Sequence, residues 1–209
     1  MILHPYLEDT RPAARHLFEG IAAYYSRRLP SILQYRDEDG VIRMAKHENE
    51  AFLRAYEAHF ALEMARATLA GSILQIAYAG LKQYSKPPSI SPRCSELMVR
   101  PGTQASSFCV GRLVRNIPIG LLIYAGRIQY NHWEEGELEN PIARQVFREL
   151  VISYHGDPHF DLGYVLDYPV PRPVSHNIIR LELGWRTYDD YVRDMTQLLP
   201  LQPNSFGSA

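Results

Sequence analysis

Apolar residues recur at helical spacing along most of the chain, and that recurrence predicts its main elements. From about Glu48 to Tyr84 no proline interrupts a run in which Phe52, Ala55, Tyr56, Phe60, Ala67, Leu69, Ala70, Ile73, Leu74, Ala77 and Leu81 fall at helical steps. A single helix of that length spans roughly 55 Å at 1.5 Å per residue, so the segment is one long rod or two helices joined by a bend near Gly71. Ahead of it, Thr10-Arg11-Pro12 reads as a helix start, and the helix carries Leu17, Phe18, Ile21, Tyr24 and Tyr25 towards a stop at Pro30. The residues D-E-D-G at 37–40 mark a turn between pieces too short to assign.

Prolines break the pattern between Ser85 and Pro92, because a residue before proline is pushed out of the α region. Beyond them the spacing predicts a short helix from Ser95. A second helix begins near Thr103 and continues through Phe108, Val110, Leu113 and Val114, then is kinked or restarted at Pro118 before the Ile119 to Tyr130 run. Asn140 caps a further helix with Pro141 at its first position and Ile142, Val146, Phe147, Leu150 and Val151 on one face. After His155 the texture changes: Tyr164 to Tyr168 and Asn177 to Leu183 lean towards β structure, Thr187 caps a last helix from Tyr188 to Leu199, and residues 202–209 read as a disordered tail. The expected fold is mostly α, a helical bundle with a long central helix and a small C-terminal β element as an option. One domain covers 1–209, with its core at about 48–155 and an appendage at 160–200.

Composition narrows the class. A chain of 209 residues with 46% hydrophobic and 11% aromatic positions can bury a sizeable core. Its start lacks a basic segment followed by an apolar one, and no apolar run is long enough to span a bilayer, so the expectation is a soluble cytoplasmic protein with no membrane partner. Cys94 and Cys109 form no CxxC and read as reduced, structural residues. A net charge of −1 argues against a protein that coats nucleic acid over a broad surface. Charge is unevenly placed, however. Between Lys82 and Trp133 seven basic residues face a single acid, Glu96, and an acidic block from Glu134 to Glu139 follows. A local positive field around Arg127 suits a polyanion.

The stretch Arg127-Ile128-Gln129-Tyr130-Asn131-His132, followed by Trp133, Glu134 and Glu135, holds the best candidate chemistry. Cleaving RNA by attack of its own 2′-hydroxyl needs a base with a near-neutral pKa, which histidine supplies, and a fixed cation for the developing phosphorane, which arginine supplies. Four Arg-His pairs stand at this kind of spacing, and context selects Arg127 with His132: Arg11 with His16, Arg54 with His59 and Arg148 with His155 lie where ion pairing or exposure explains them. Five positions on a straight helix turn through about 140°, so the two side chains share a site only if the helix is distorted near Gly126 or a second protomer supplies one of them. Tyr130 and Trp133 offer stacking faces, and Asn131, Arg112 and Arg115 complete the candidate substrate-binding set.

Set within helices and followed by a polar corner and another helix, this Arg-x4-His form resembles the Arg-x4-6-His signature of the HEPN superfamily of nucleases and nucleotide-binding helical proteins. The resemblance covers roughly Thr103 to His155. It implies an all-α bundle, a homodimer with both motifs at the two-fold axis, and endoribonuclease activity needing neither metal nor other cofactor, with Arg127 and His132 catalytic and RNA as partner. A toxin or phage-defence setting goes with it. One position departs: Ile128 stands where the family usually has a polar residue, with Asn131 as a substitute.

Two other readings remain open. Arg127 can instead pair with Glu134 or Glu135 and His132 can be an interface residue, in a non-catalytic helical interaction or immunity-type protein. The loop from His155 also places His155, Asp157, His159 and Asp161 within seven residues, a donor set for a metal-dependent hydrolase, although Gly156-Asp157-Pro158 is equally plain turn chemistry.

Overall fold

The computed structural model describes residues 3–25, 34–36, 42–44, 50–87, 89–155, 164–165 and 172–199. These residues fold mostly as helices. No helix among them is long and apolar enough to cross a membrane.

Helix α1 (Pro5–Tyr25) starts well before the expected Thr10 cap. The His4 carbonyl accepts from the Leu7 and Glu8 amides at 2.8 and 3.3 Å, and His4 Nδ1 accepts from the Tyr6 amide at 3.2 Å, so His4 closes the helix end. Thr10 therefore lies inside the helix, where its hydroxyl donates back to the Tyr6 carbonyl at 2.7 Å. Leu7, Ala14, Phe18 and Ile21 form the buried stripe of α1, which packs on α2. Two short antiparallel strands, β1 (Gln34–Arg36) and β2 (Ile42–Met44), flank the D-E-D-G stretch, with Tyr35 opposite Arg43.

Helix α2 (Glu50–Tyr84) is one continuous element of 35 residues, about 52 Å long at 1.5 Å per residue. Gly71 lies inside this helix, and a side chain at that position would run into the Tyr130 ring. The prolines after Tyr84 end it, and Ser91 caps the short α3 (Pro92–Glu96) by accepting from the Cys94 amide at 3.3 Å.

The next stretch departs from expectation. A 3-10 helix over Gln104–Phe108 replaces the long helix expected from Thr103, and the chain then forms a hairpin of β3 (Leu113–Val114) and β4 (Ile117–Pro118). Arg115 and Asn116 occupy the two turn positions with φ of 46° and 63°, the conformation a two-residue hairpin of this twist requires. Pro118 is thus the last residue of the hairpin and restarts the chain as helix α4 (Ile119–His132).

Helix α4 is the most enclosed element: every residue from Ile119 to Gly126, together with Ile128 and Gln129, is buried. It packs on α2 and on α5 (Pro141–Ser153), whose Asn140 cap accepts from the Ala143 amide at 2.9 Å. Each fully buried Leu, Ile or Phe in this contact contributes about 1.5–3 kcal/mol. Gly126 sits where α2, α4 and residue 178 converge, since a Cβ there would lie 3.1 Å from both Leu74 Cδ1 and Ile178 Cγ2. Gln129 fastens the C-terminal part to α4, donating to the Arg172 carbonyl at 2.8 Å and accepting from the Val174 amide at 3.1 Å.

The segment expected to lean towards β structure is helical in its described part. Helix α6 (Ser175–Asn177) runs directly into a π turn over Ile178–Glu182, because Ile178, Ile179, Glu182 and Leu183 must all enter the core. Helix α7 (Tyr188–Leu198) begins as expected at Thr187, in a reciprocal capping box with Asp190. The Pro30 stop, residues 166–171, the Asp157, His159 and Asp161 positions and the tail 202–209 lie outside the described residues.

Candidate active site

Arg127 and His132 line one cleft of about 490 Å³, together with Tyr78 of α2, Gln104 of the 3-10 helix, and Tyr124, Glu135, Glu139 and Asn140. The expected obstacle of opposed helix faces is resolved at His132 rather than at Gly126. His132 has φ −126° and ψ 9°, so the α geometry ends there and passes into a 3-10 turn over Trp133–Glu135. Gly126 is an ordinary buried helix position whose small size admits Leu74 and Ile178.

Arg127 is held from three directions. Its Nε donates to Gln75 Oε1 at 2.9 Å, and its Cζ lies 4.8 Å from the centre of the Tyr78 ring. With the Asn131 amide oxygen turned towards the guanidinium, that oxygen accepts from Nε and Nη2 at 3.1 and 3.0 Å. The expected alternative pairing with Glu134 or Glu135 is not formed, and among the described residues no carboxylate partners Arg127. Its positive charge stays available to the cleft.

Glu135 bonds His132 instead, accepting from Nδ1 at 2.8 Å. A carboxylate acceptor at this place suits the neutral tautomer with its proton on Nδ1, the one that leaves Nε2 free to accept a proton. The side chains of His132 and Glu135 are 45% and 59% exposed, so the pair is open to a substrate. An oriented histidine beside a fixed guanidinium can move a proton and stabilise an anion in the same place.

The cleft wall is aromatic. Tyr78 stacks on Phe108 with ring centres 4.8 Å apart, and Phe108 meets Tyr124 at 5.1 Å. Gln104 Nε2 donates to the Tyr78 hydroxyl, and Asn140 Nδ2 donates to the Tyr124 hydroxyl at 3.1 Å. Burial raises the Tyr78 pKa above its ordinary value against the opposing pull of Arg127, so its hydroxyl remains a neutral donor at physiological pH.

The remaining expected site residues lie elsewhere. Tyr130 covers Gly71 on the α2 side of α4, and half-buried Trp133 does not line the cleft. Arg112 donates to Asp194 Oδ2 at 2.9 Å and to the Leu183 carbonyl at 2.6 Å. Arg115 lies 3.4 Å over the Tyr154 ring, with its Nε 3.4 Å from Glu182 Oε2. Both arginines are engaged in contacts of the fold. His155 is exposed at the end of α5, and no group of three or more His, Cys, Asp or Glu suited to a metal occurs among the described residues.

Glu135, Gln75, Tyr78, Gln104 and Tyr124 are among the members that sequence reasoning missed. Glu135 carried a signal, since it stands three residues after His132, one turn on. Gln75, Tyr78 and Gln104 come from distant elements and carried none. No family model, no curated protein and no solved structure matches the chain.

Proposed function

We propose that the Arg127 cleft is the active site of a metal-independent endoribonuclease of the HEPN type that acts as a homodimer. The observation that carries this reading is the shared cleft, in which Glu135 orients His132 and the unpaired Arg127 charge faces the same space. In this reading His132 Nε2 removes the proton from a ribose 2′-hydroxyl, and the 2′-oxygen attacks the adjacent phosphorus. Arg127 stabilises the charge on the phosphorane oxygens. The bond to the 5′-oxygen breaks, that oxygen takes up a proton from water, and a 2′,3′-cyclic phosphate remains. Tyr78 and Tyr124 give a base an aromatic wall.

The test is cleavage of a structured RNA in the presence of chelator. His132→Ala and Arg127→Ala each lower the rate by about a hundredfold to ten-thousandfold, the usual effect of losing a proton-transfer or charge-stabilising group. Their circular-dichroism spectra match wild type. Wild-type protein that cuts no RNA with or without divalent ions, or a His132→Ala variant that cuts as fast, refutes the reading. The dimer rests on the sequence resemblance, so a monomer at micromolar concentration in light scattering would remove that part alone.

One observation favours a second reading. Glu135 and Glu139 line the cleft beside Arg127, and mixed charge on a partly aromatic surface also suits a protein partner. In that case the chain is a non-catalytic helical interaction or immunity-type protein, and Arg127→Ala abolishes partner binding without any cleavage to lose.

A further inference from the structure

A second, smaller pocket of about 120 Å³ shares no residue with the Arg127 cleft. It lies where the last turn of α1 meets the π turn and the loop before α7. Ile21, Ile179 and Trp185 are buried and form an apolar floor, and the Tyr25 ring forms one side. Trp185 is locked in place because its indole Nε1 donates to the buried Asp194 at 2.8 Å.

The rim is cationic. Arg180 Cζ stands 4.2 Å from the centre of the Tyr25 ring, and Arg186 lines the same pocket. Arg66 approaches the same ring at 4.7 Å, but its charge is matched by Glu63 at 2.5 Å. Neither Arg180 nor Arg186 has an ion-pair partner among the described residues. The Tyr25 hydroxyl is bonded to His176 Nε2, so the aromatic side is fixed before any ligand arrives. Two unmatched guanidinium groups beside a mainly apolar pocket attract a negative group that carries an apolar body.

We infer that this pocket binds a small carboxylic acid with a compact apolar body, its carboxylate held by Arg180 and Arg186 and its body resting on Ile21, Ile179 and Trp185. The volume admits about one six-membered ring and excludes a nucleotide, since ligand sites for larger molecules run to several hundred Å³. The site needs no catalytic event at the Arg127 cleft and stands whether or not that cleft cuts RNA.

The experiment is titration of the full chain with benzoate, followed by the indole N–H signals in a proton–nitrogen correlation spectrum. The chain has two tryptophans, Trp133 and Trp185, so each serves as the other's control. Benzoate is expected to shift the Trp185 signal saturably and leave the Trp133 signal in place. Benzyl alcohol, which lacks the charge, and inorganic phosphate, which lacks the body, bind at least about tenfold more weakly, the loss expected when a charge-assisted contact or the burial of a ring is removed. Arg180→Gln and Arg186→Gln each weaken benzoate about tenfold while the Trp185 signal of the free protein keeps its position. Absence of a saturable shift overturns the assignment. So does equal binding of benzyl alcohol or phosphate, or benzoate binding that survives the double arginine variant with that signal intact.

Discussion

Replacing Asp194 tests how the structure uses a charge that the sequence associated with substrate. The Asp194 side chain is 4% exposed; Oδ2 accepts from Trp185 Nε1 at 2.8 Å and from Arg112 Nη2 at 2.9 Å, and Oδ1 accepts from Arg112 Nε at 3.3 Å. Asp194→Ala leaves the indole N–H of the buried Trp185 without an acceptor and opens a small void beside it. The Arg112 end of the pair is 42% exposed and can be solvated, so the main loss is the unsatisfied buried indole N–H, about 1–3 kcal/mol. For a chain of this size each kcal/mol lowers the melting temperature by roughly 2–4 °C, so the expected drop is on the order of 2–12 °C. Arg112→Ala also destabilises, because it leaves the 4% exposed Asp194 carboxylate with the Trp185 indole as its remaining side-chain donor. Urea titrations of the two single variants and the double variant give the coupling, expected at about 0.5–3 kcal/mol. Arg112→Ala also leaves RNA cleavage within about threefold of wild type, in keeping with a contact of the fold rather than the substrate. A loss below about 1 kcal/mol for Asp194→Ala, or no coupling in the cycle, would refute this account of Arg112.

Three further outcomes are expected. His176 is held at a pKa of about 4, chiefly by burial and further by Arg66 and Arg180 against the pull of Glu63, so the unfolded chain takes up its proton first as pH falls. Stability therefore declines between about pH 6.5 and 4, and His176→Gln flattens that part of a urea-midpoint profile. Tyr154 is pushed up to about 12 by burial and by its bond to Glu182, so the unfolded chain ionises first above about pH 10; stability falls from there towards pH 12, and Tyr154→Phe removes one group's share of the slope. Gly71→Ala raises helix propensity by about 1 kcal/mol yet displaces the Tyr130 ring, and calorimetry should find a net loss of about 1–2 kcal/mol.

Long-period patterning was legible in the chain, and local exceptions were not. The apolar spacing of α2 and the caps Asn140 and Thr187 were readable because each acts through near neighbours. Thr10 was misleading, since its hydroxyl serves equally well bonded back to Tyr6 inside a helix, and the true start depends on His4. The hairpin at Arg115-Asn116 lacks the glycine that normally announces such a turn; Arg115 adopts the left-handed conformation while its side chain is secured on Tyr154 and Glu182. Residues Ile178 to Leu183 alternate in a way that suits a strand, but the core they fill demands a π turn. At the candidate site, sequence context singled out Arg127 and His132 from four similarly spaced pairs, and both line one cleft. The groups that surround them were not legible, because Gln75, Tyr78 and Gln104 arrive through tertiary packing alone.

The central proposal is that His132 as proton-transfer group and Arg127 as fixed cation form one centre for phosphodiester cleavage, and the chemical nature of the RNA ends tests it most directly. Incubated with RNA in excess chelator, the wild-type protein should leave 2′,3′-cyclic phosphate on the upstream fragment and a free 5′-hydroxyl on the downstream one. An RNA with 2′-deoxyribose at the cleavage site should resist. Products bearing 3′-hydroxyl and 5′-phosphate ends, or undiminished cutting of the 2′-deoxy substrate, would contradict the account, because no attack by the 2′-oxygen could then have occurred.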